Sequence, residues 1–244
     1  VNNKAAVILV ASVVSFTLGL VAATFSDMSE FVPELLRGLL ITLQVTAGGA
    51  VVAVTAALIA ALGKMYGPTP VRWLAMTYIE AFRGTSALVQ LFWLFYVLPH
   101  FGITLEPMTV GIVALGLNIG AYGAEVVRGA IGSVPKGQWE AGVALNMSRM
   151  QLLRDVILPQ AFVAMIPPWG NLFIELLKAT ALVSLITLSD LAFKAQQINQ
   201  NTLRTVEIFT VVLLAYLAIS LVITMGMRAL ERRAAKGLRR GRVA

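Results

Sequence analysis

Six apolar runs, at roughly 5–25, 36–62, 75–98, 108–128, 171–193 and 207–229, dominate this chain. A helix needs about 20 apolar residues to cross a bilayer core of ~30 Å. The runs therefore prescribe an all-α polytopic membrane bundle and exclude a soluble core. Composition agrees: 58% of the 244 residues are hydrophobic, 13% are charged and mean hydropathy is +0.83, whereas soluble domains carry about 25% charged residues. Helix punctuation falls between the runs, at Ser26–Pro33, Gly67-Pro68-Thr69-Pro70, Pro99–Pro107, Pro135 and Asn199–Thr202.

Charge placement sets the expected orientation. With the C-terminus inside, Lys4, Lys64, Arg72, Arg128, Lys136, Arg149 and Arg154 lie in cytoplasmic segments, with Arg228, Arg232, Arg233, Lys236, Arg239, Arg240 and Arg242 after the last run. Arg37, Lys194 and Arg204 fall outside, and Arg83 and Lys178 lie within or near spans. The positive-inside bias thus puts both termini in the cytoplasm. It assigns the net charge of +7 to a tail facing anionic lipid rather than to nucleic acid. Residues 5–25 read as a retained span, because the run outlasts a signal-peptide core and lacks a clean small-x-small end. The division that follows is an N-terminal span at 1–30, a transmembrane domain at 31–230 with a cytoplasmic loop at about 129–159, and a basic tail at 231–244. The absence of cysteine removes disulfides, thiolate zinc sites and thiol catalysis. The single His100 cannot build a metal cluster, so no metal site and no cofactor are expected in the chain itself.

The segment at 129–158 breaks the apolar pattern with Lys136, Glu140, Arg149, Arg154 and Asp155. It must project into water. Ser133 is an expected N-cap with Pro135 in the first turn, and Trp139, Val143 and Met147 recur at four-residue intervals. Ser148 is an expected cap for a second short helix through Ile157, which Leu158-Pro159 should end or kink. Two short helices with an apolar stripe suit a groove on a soluble partner. They equally suit an interfacial position on lipid, and the residues leave both readings open.

The segment resembles the EAA loop of ABC importer permeases: Glu140-Ala141-Gly142, then Asn146 where glycine is usual, then Val156-Ile157-Leu158-Pro159. Gly142, Asn146 and Val156 depart from the family pattern, while the spacing is kept. Glu80-Ala81-Phe82-Arg83-Gly84-Thr85, Val89-Gln90, Tyr122-Gly123-Ala124-Glu125, Arg128-Gly129, Pro135-x-Gly137-Gln138 and Leu158-Pro159-Gln160-Ala161 resemble the polar amino acid permeases of the histidine/glutamine type. Within that group, Gly84 to Trp93 and Ala144-Leu145-Asn146-Met147-Ser148 look most like ectoine and hydroxyectoine permeases. The resemblance implies a type I ABC importer transmembrane domain in a bacterial inner membrane, with a five-span core behind an extra N-terminal span. It implies a second permease, identical or related, two ATPase subunits that bind ATP and Mg, and an external solute-binding protein. Glu140, Ala141, Gly142, Ala144, Asn146 and Pro159 would then couple the ATPase to the spans. The chain carries no Gly-x-x-x-x-Gly-Lys-Ser/Thr stretch of its own, since Gly63-Lys64 is followed by Met65.

The candidate solute path comprises Glu80, Arg83, Thr85, Asn118, Glu125, Lys178 and Ser184. The pairs Glu80/Arg83, Glu125/Arg128 and Glu175/Lys178 stand three residues apart, each on one helix face toward a cytoplasmic end, so each can compensate internally. A zwitterionic solute suits a path lined with both signs; snorkelling or helix anchoring accounts for the same residues. Asn118 lies deeper and needs a partner, in the path or on another helix. Gly116 and Gly120 form a small-xxx-small step for close packing. Thr180, Ser184 and Thr187 share a face and either line the path or bond back to their own helix. Asp190 and Glu207 are placed at the outer surface, His100 in a solvated loop, and Trp73, Trp93 and Trp169 at the membrane interface. An ion-coupled secondary transporter is the rival reading, without paired broken helices in two halves to support it. A membrane enzyme lacks a nucleophile–base constellation.

Overall fold

The computed structural model describes residues 29–240, and their side chains as far as residue 235. The expected span at 5–25 lies outside the described residues. Helices and turns account for the described secondary structure, and among the described residues four helices are long and apolar enough to cross a membrane; a bent pair raises the number to five.

The first described helix, α1 (Val32–Tyr66), starts on Pro33, with Glu34 in its first turn and Lys64 in its last, each on the side the helix dipole favours. It packs most extensively on α4 (Pro107–Gly132). Small residues make that seam. A Cβ on Gly116 would lie 2.7 Å from Val52 Cβ and 3.0 Å from the Gly49 carbonyl oxygen, and one on Gly120 would lie 2.9 Å from the Tyr78 hydroxyl. The small-xxx-small step therefore serves close helix packing, as its spacing suggests.

The expected span at 75–98 is broken. α2 (Thr69–Gly84) and α3 (Ala87–Phe92) meet at a bend of 107°, measured to the end of the π and 3-10 turns that carry α3 on to Phe101. Thr85 and Ser86 take extended backbone angles there, because three successive small or hydroxylated residues, Gly84-Thr85-Ser86, offer little to a helix interior.

The expected span at 171–193 is displaced as well. A helix enters at Arg149, runs through α7 (Leu158–Ala179) and ends in a 3-10 segment at Ile186. Pro159, Pro167 and Pro168 do not stop it. Pro159 follows a π turn at Leu152–Ile157, and prolines inside packed membrane helices are tolerated where neighbours and local π geometry re-satisfy the backbone. Glu175 and Lys178 consequently lie toward the end opposite the loop, not toward the loop. Thr187 turns the chain with φ 64°, and α8 (Leu191–Thr202) follows as a separate helix packed on α1 and α9 (Thr205–Arg240). Leu203, with φ 58°, ends α8 at the expected break. α9 stays helical to Arg240, so the basic residues from Arg228 to Arg240 prolong the last span.

Trp169 is buried, not interfacial. Its ring fills the notch left by Gly123, where a Cβ would meet it at 2.5 Å, and it stacks obliquely on Phe173.

Candidate functional site

Two places combine polar chemistry with defined geometry: the loop at one end of the bundle and the bend in the broken span. The loop begins where α4 stops. Ser133 is the C-cap of α4, its hydroxyl donating to the Ala130 carbonyl at 2.8 Å and its N–H to Gly129 at 2.9 Å. The expectation of Ser133 as an N-cap is thus corrected: Pro135 occupies that position, and α5 (Lys136–Ala144) starts behind it. A proline there forfeits no hydrogen bond.

Asn146 resolves the departure from glycine. It stands at φ 56° and closes a Schellman turn, with Met147 N–H on the Gly142 carbonyl at 3.0 Å and Asn146 N–H on Val143 at 2.9 Å. Asparagine is the residue after glycine that tolerates this geometry. Ser148 then caps α6 (Arg149–Gln151) in a capping box, accepting from Gln151 N–H at 3.3 Å while Gln151 Oε1 accepts from Ser148 N–H at 2.9 Å.

The two short helices are clamped by Leu152, which is buried against Gly142 so closely that a Cβ there would collide with its methyls. Gln160 ties α7 back to α5, donating to Gln138 Oε1 at 3.3 Å and to the Val156 carbonyl at 2.9 Å. Trp139 and Met147 pack toward the core. The outward surface carries Glu140, Ala141 and Ala144 with three apolar side chains, Val143 (69% exposed), Leu145 (76%) and Met150 (72%). Pro159 is exposed at the start of α7. All six expected coupling residues therefore share one end of the bundle; Gly142 alone among them is buried.

At the bend, buried Asn118 of α4 donates from Nδ2 to the Phe82 carbonyl and to Gln90 Oε1, both at 3.1 Å. Gln90 Nε2 donates to the Phe82 carbonyl at 2.9 Å and to Thr85 Oγ1 at 2.6 Å. Thr85 in turn donates to the Ala81 carbonyl at 2.7 Å. Carbonyls freed by the break are thus satisfied by two amides. Arg83 sits over the Tyr122 ring at 5.4 Å and forms no ion pair with Glu80, which is exposed. Asn118, Thr85 and Arg83 come together here. Gln90 belongs with them and was missed, although the mid-span amide that singles out Asn118 singles out Gln90 too.

The other path candidates lie elsewhere. Glu125 pairs with Arg128 at 2.8 Å as expected, and with Lys64 of α1 at 2.7 Å, a cross-helix partner that spacing along one helix does not disclose. Glu175 and Lys178 form no pair. Lys178 borders an apolar groove of about 530 Å³ between α7 and α9, lined by Ile174, Ala181, Leu213 and Leu217 among others. Ser184 and Thr180 bond back to Ala181 and Leu177, each at 2.7 Å. His100 is exposed, with Nδ1 3.0 Å from the Tyr96 carbonyl. Asp190 is fully buried rather than at the surface.

Comparison with known proteins fits this geometry. Residues 53–236 match the family described as binding-protein-dependent transport system inner membrane component. A Sinorhizobium fredii protein named as a probable amino-acid ABC transporter permease is 44% identical, over 84% of this chain and 89% of its own. The L-cystine transport system permease TcyB of Bacillus subtilis is 40% identical over 90% and 94%, and the glutamine transport system permease GlnP of Escherichia coli 36% over 83% and 93%. A crystal structure of an amino acid ABC transporter with histidines superposes with a TM-score of 0.80 at 36% identity, covering 86% of this chain and 98% of that one. The inward-facing methionine transporter MetNI, at 18% identity and a TM-score of 0.64, shares the fold. With its helical core in the arrangement of a type I ABC importer transmembrane domain, the chain belongs to the binding-protein-dependent transport system inner membrane components, the permease subunits of ABC importers.

Proposed function

We propose that this permease carries a polar amino acid or a related zwitterionic solute inward across a bacterial inner membrane, with ectoine-type compatible solutes inside that class. The motor is a pair of ATPase subunits that bind ATP and Mg on separate chains. A second permease, identical or related, completes the path, and an external binding protein delivers the solute. Both termini and the loop face the cytoplasm, where the basic residues gather. The relatives named for cystine and glutamine support the solute class.

The observation that carries this reading is the loop surface, which exposes Val143, Leu145 and Met150 together with Glu140 on two short helices fixed to the bundle by Leu152 and Gln160. Apolar side chains held rigidly in water invite a partner's groove. Displacement of the loop passes directly into α4 and α7, which flank it. The test is ATP hydrolysis by the assembled transporter in vesicles. Glu140→Ala, or a bulky residue at Gly142, should lower solute-stimulated hydrolysis on the order of tenfold, the equivalent of ~1.4 kcal/mol of lost interface. Solute binding by the external protein should not change. Unaltered coupling in both variants, or uptake driven by an ion gradient with no ATPase present, refutes it.

A further inference from the structure

At the end of the bundle opposite the loop, a second buried polar cluster stands apart from both places described above. Asp190 lies in the turn between the 3-10 segment and α8, outside the membrane-spanning segments and fully buried. Its Oδ1 accepts the Phe193 N–H at 2.9 Å and caps α8, while its Oδ2 has no hydrogen-bond partner. The same turn is seated on α1. Leu191 N–H donates to buried Thr42 Oγ1 at 3.1 Å, and a Cβ on Gly38 would stand 2.8 Å from the Asp190 carbonyl oxygen. From α9, the buried Tyr216 hydroxyl faces Thr42, Thr180 and Asp190.

The Asp190 Oδ2 is therefore an orphan acceptor in this seat. A buried carboxylate oxygen without a donor is costly, and one proton on Oδ2 removes the charge and supplies a donor. The groups around it are few. α1 brings Thr42 at the seat, with Glu34 and Arg37 nearer its start; Lys194 of α8 stands 3.9 Å from Glu34. The 3-10 segment brings Thr180, with Lys178 just before it on α7. α9 brings Tyr216, with Glu207 nearer its start and Arg204 just before it.

We propose that Asp190 is a proton-dependent positioning residue, holding α8 against α1 and α9 when Oδ2 is protonated and loosening that seat when the carboxyl is ionised. Burial pushes the carboxyl up to about 6, against the backbone N–H groups that lower it. α8 links the two spans that follow the loop, so the device acts on the end of the bundle remote from the motor. It goes beyond the transport reading and depends on the fold alone.

The chain has no cysteine, so single thiols report the seat in the full chain in lipid vesicles. Ala195→Cys marks the buried face of α8 and Gln196→Cys its exposed face; the ratio of their maleimide labelling rates cancels thiol ionisation. That ratio should rise about fivefold or more between pH 5 and pH 7.5. Asp190→Asn keeps the cap acceptor and adds a donor, so the ratio should stay low at both pH values. Asp190→Ala loses the cap, and the ratio should be high at both. Ile198→Cys, also buried, repeats the measurement should Ala195→Cys disturb the packing. A ratio independent of pH in the parent, or an unchanged pH dependence in Asp190→Asn, overturns the proposal.

Discussion

Asn146 shows how far a single residue type can be read. Asparagine departs from the usual glycine at this position but tolerates unusual backbone angles, and φ 56° with two Schellman hydrogen bonds is what stands there. Asn146→Gly should be neutral, while Asn146→Val should cost about 1–2 kcal/mol, because a β-branched side chain tolerates this left-handed region far less well than asparagine; thermal melts of the purified subunit measure both. Asp190 was misread for the converse reason. A charged residue after an apolar run reads as solvated, and no local spacing reveals that Thr42, about 150 positions earlier, will close over it. Its carboxyl is raised from 3.8 to about 6 by burial. The folded chain therefore holds this proton more tightly than the unfolded chain. The stability it contributes is full below about pH 4 and is lost as pH rises through 6, of order 3 kcal/mol in all. Asp190→Asn should flatten the melting temperature across that window; a parallel profile would count against the assignment.

At the scale of elements, α1, α4 and α9 were legible because length and apolarity alone decide them. The broken and displaced spans were not. Pro159 reads as a stop or a kink, since sequence shows the missing N–H but not the π turn and neighbouring helices that accommodate it. The 107° bend fell inside a run whose overall apolarity reads as one straight span, although Gly84-Thr85-Ser86 marks the place. It is held by Asn118 and Gln90, whose amides share the Phe82 carbonyl. Asn118→Leu and Gln90→Leu should each destabilise the subunit by about 1–3 kcal/mol by leaving that backbone short of donors. Because they serve one acceptor and each other, the double variant should cost less than the sum. Additive losses in a double-mutant cycle would show that the two amides act separately.

For the whole molecule, the family and its all-helical architecture were recoverable from the loop pattern, because spacing survives substitutions at Gly142, Asn146 and Val156. Which candidates share a place was not recoverable. Arg83, Thr85 and Asn118 gather at the bend, whereas Glu125, Lys178 and Ser184 are scattered along the bundle. The topology proposed above predicts that a thiol at Leu145 is labelled by an impermeant reagent from the cytoplasmic side and one at Phe101 from the opposite side, both positions being exposed; labelling from a single side would reverse it. The glycine seam between α1 and α4 carries a last consequence. The Gly49 and Ala53 carbonyls, set close against Gly116 and Gly120, leave no slack for sliding or hinging between the two helices. Spin labels on the outward faces of these two helices should hold a constant separation through every stage of turnover, a fixed ruler against which the displacement of everything else can be gauged.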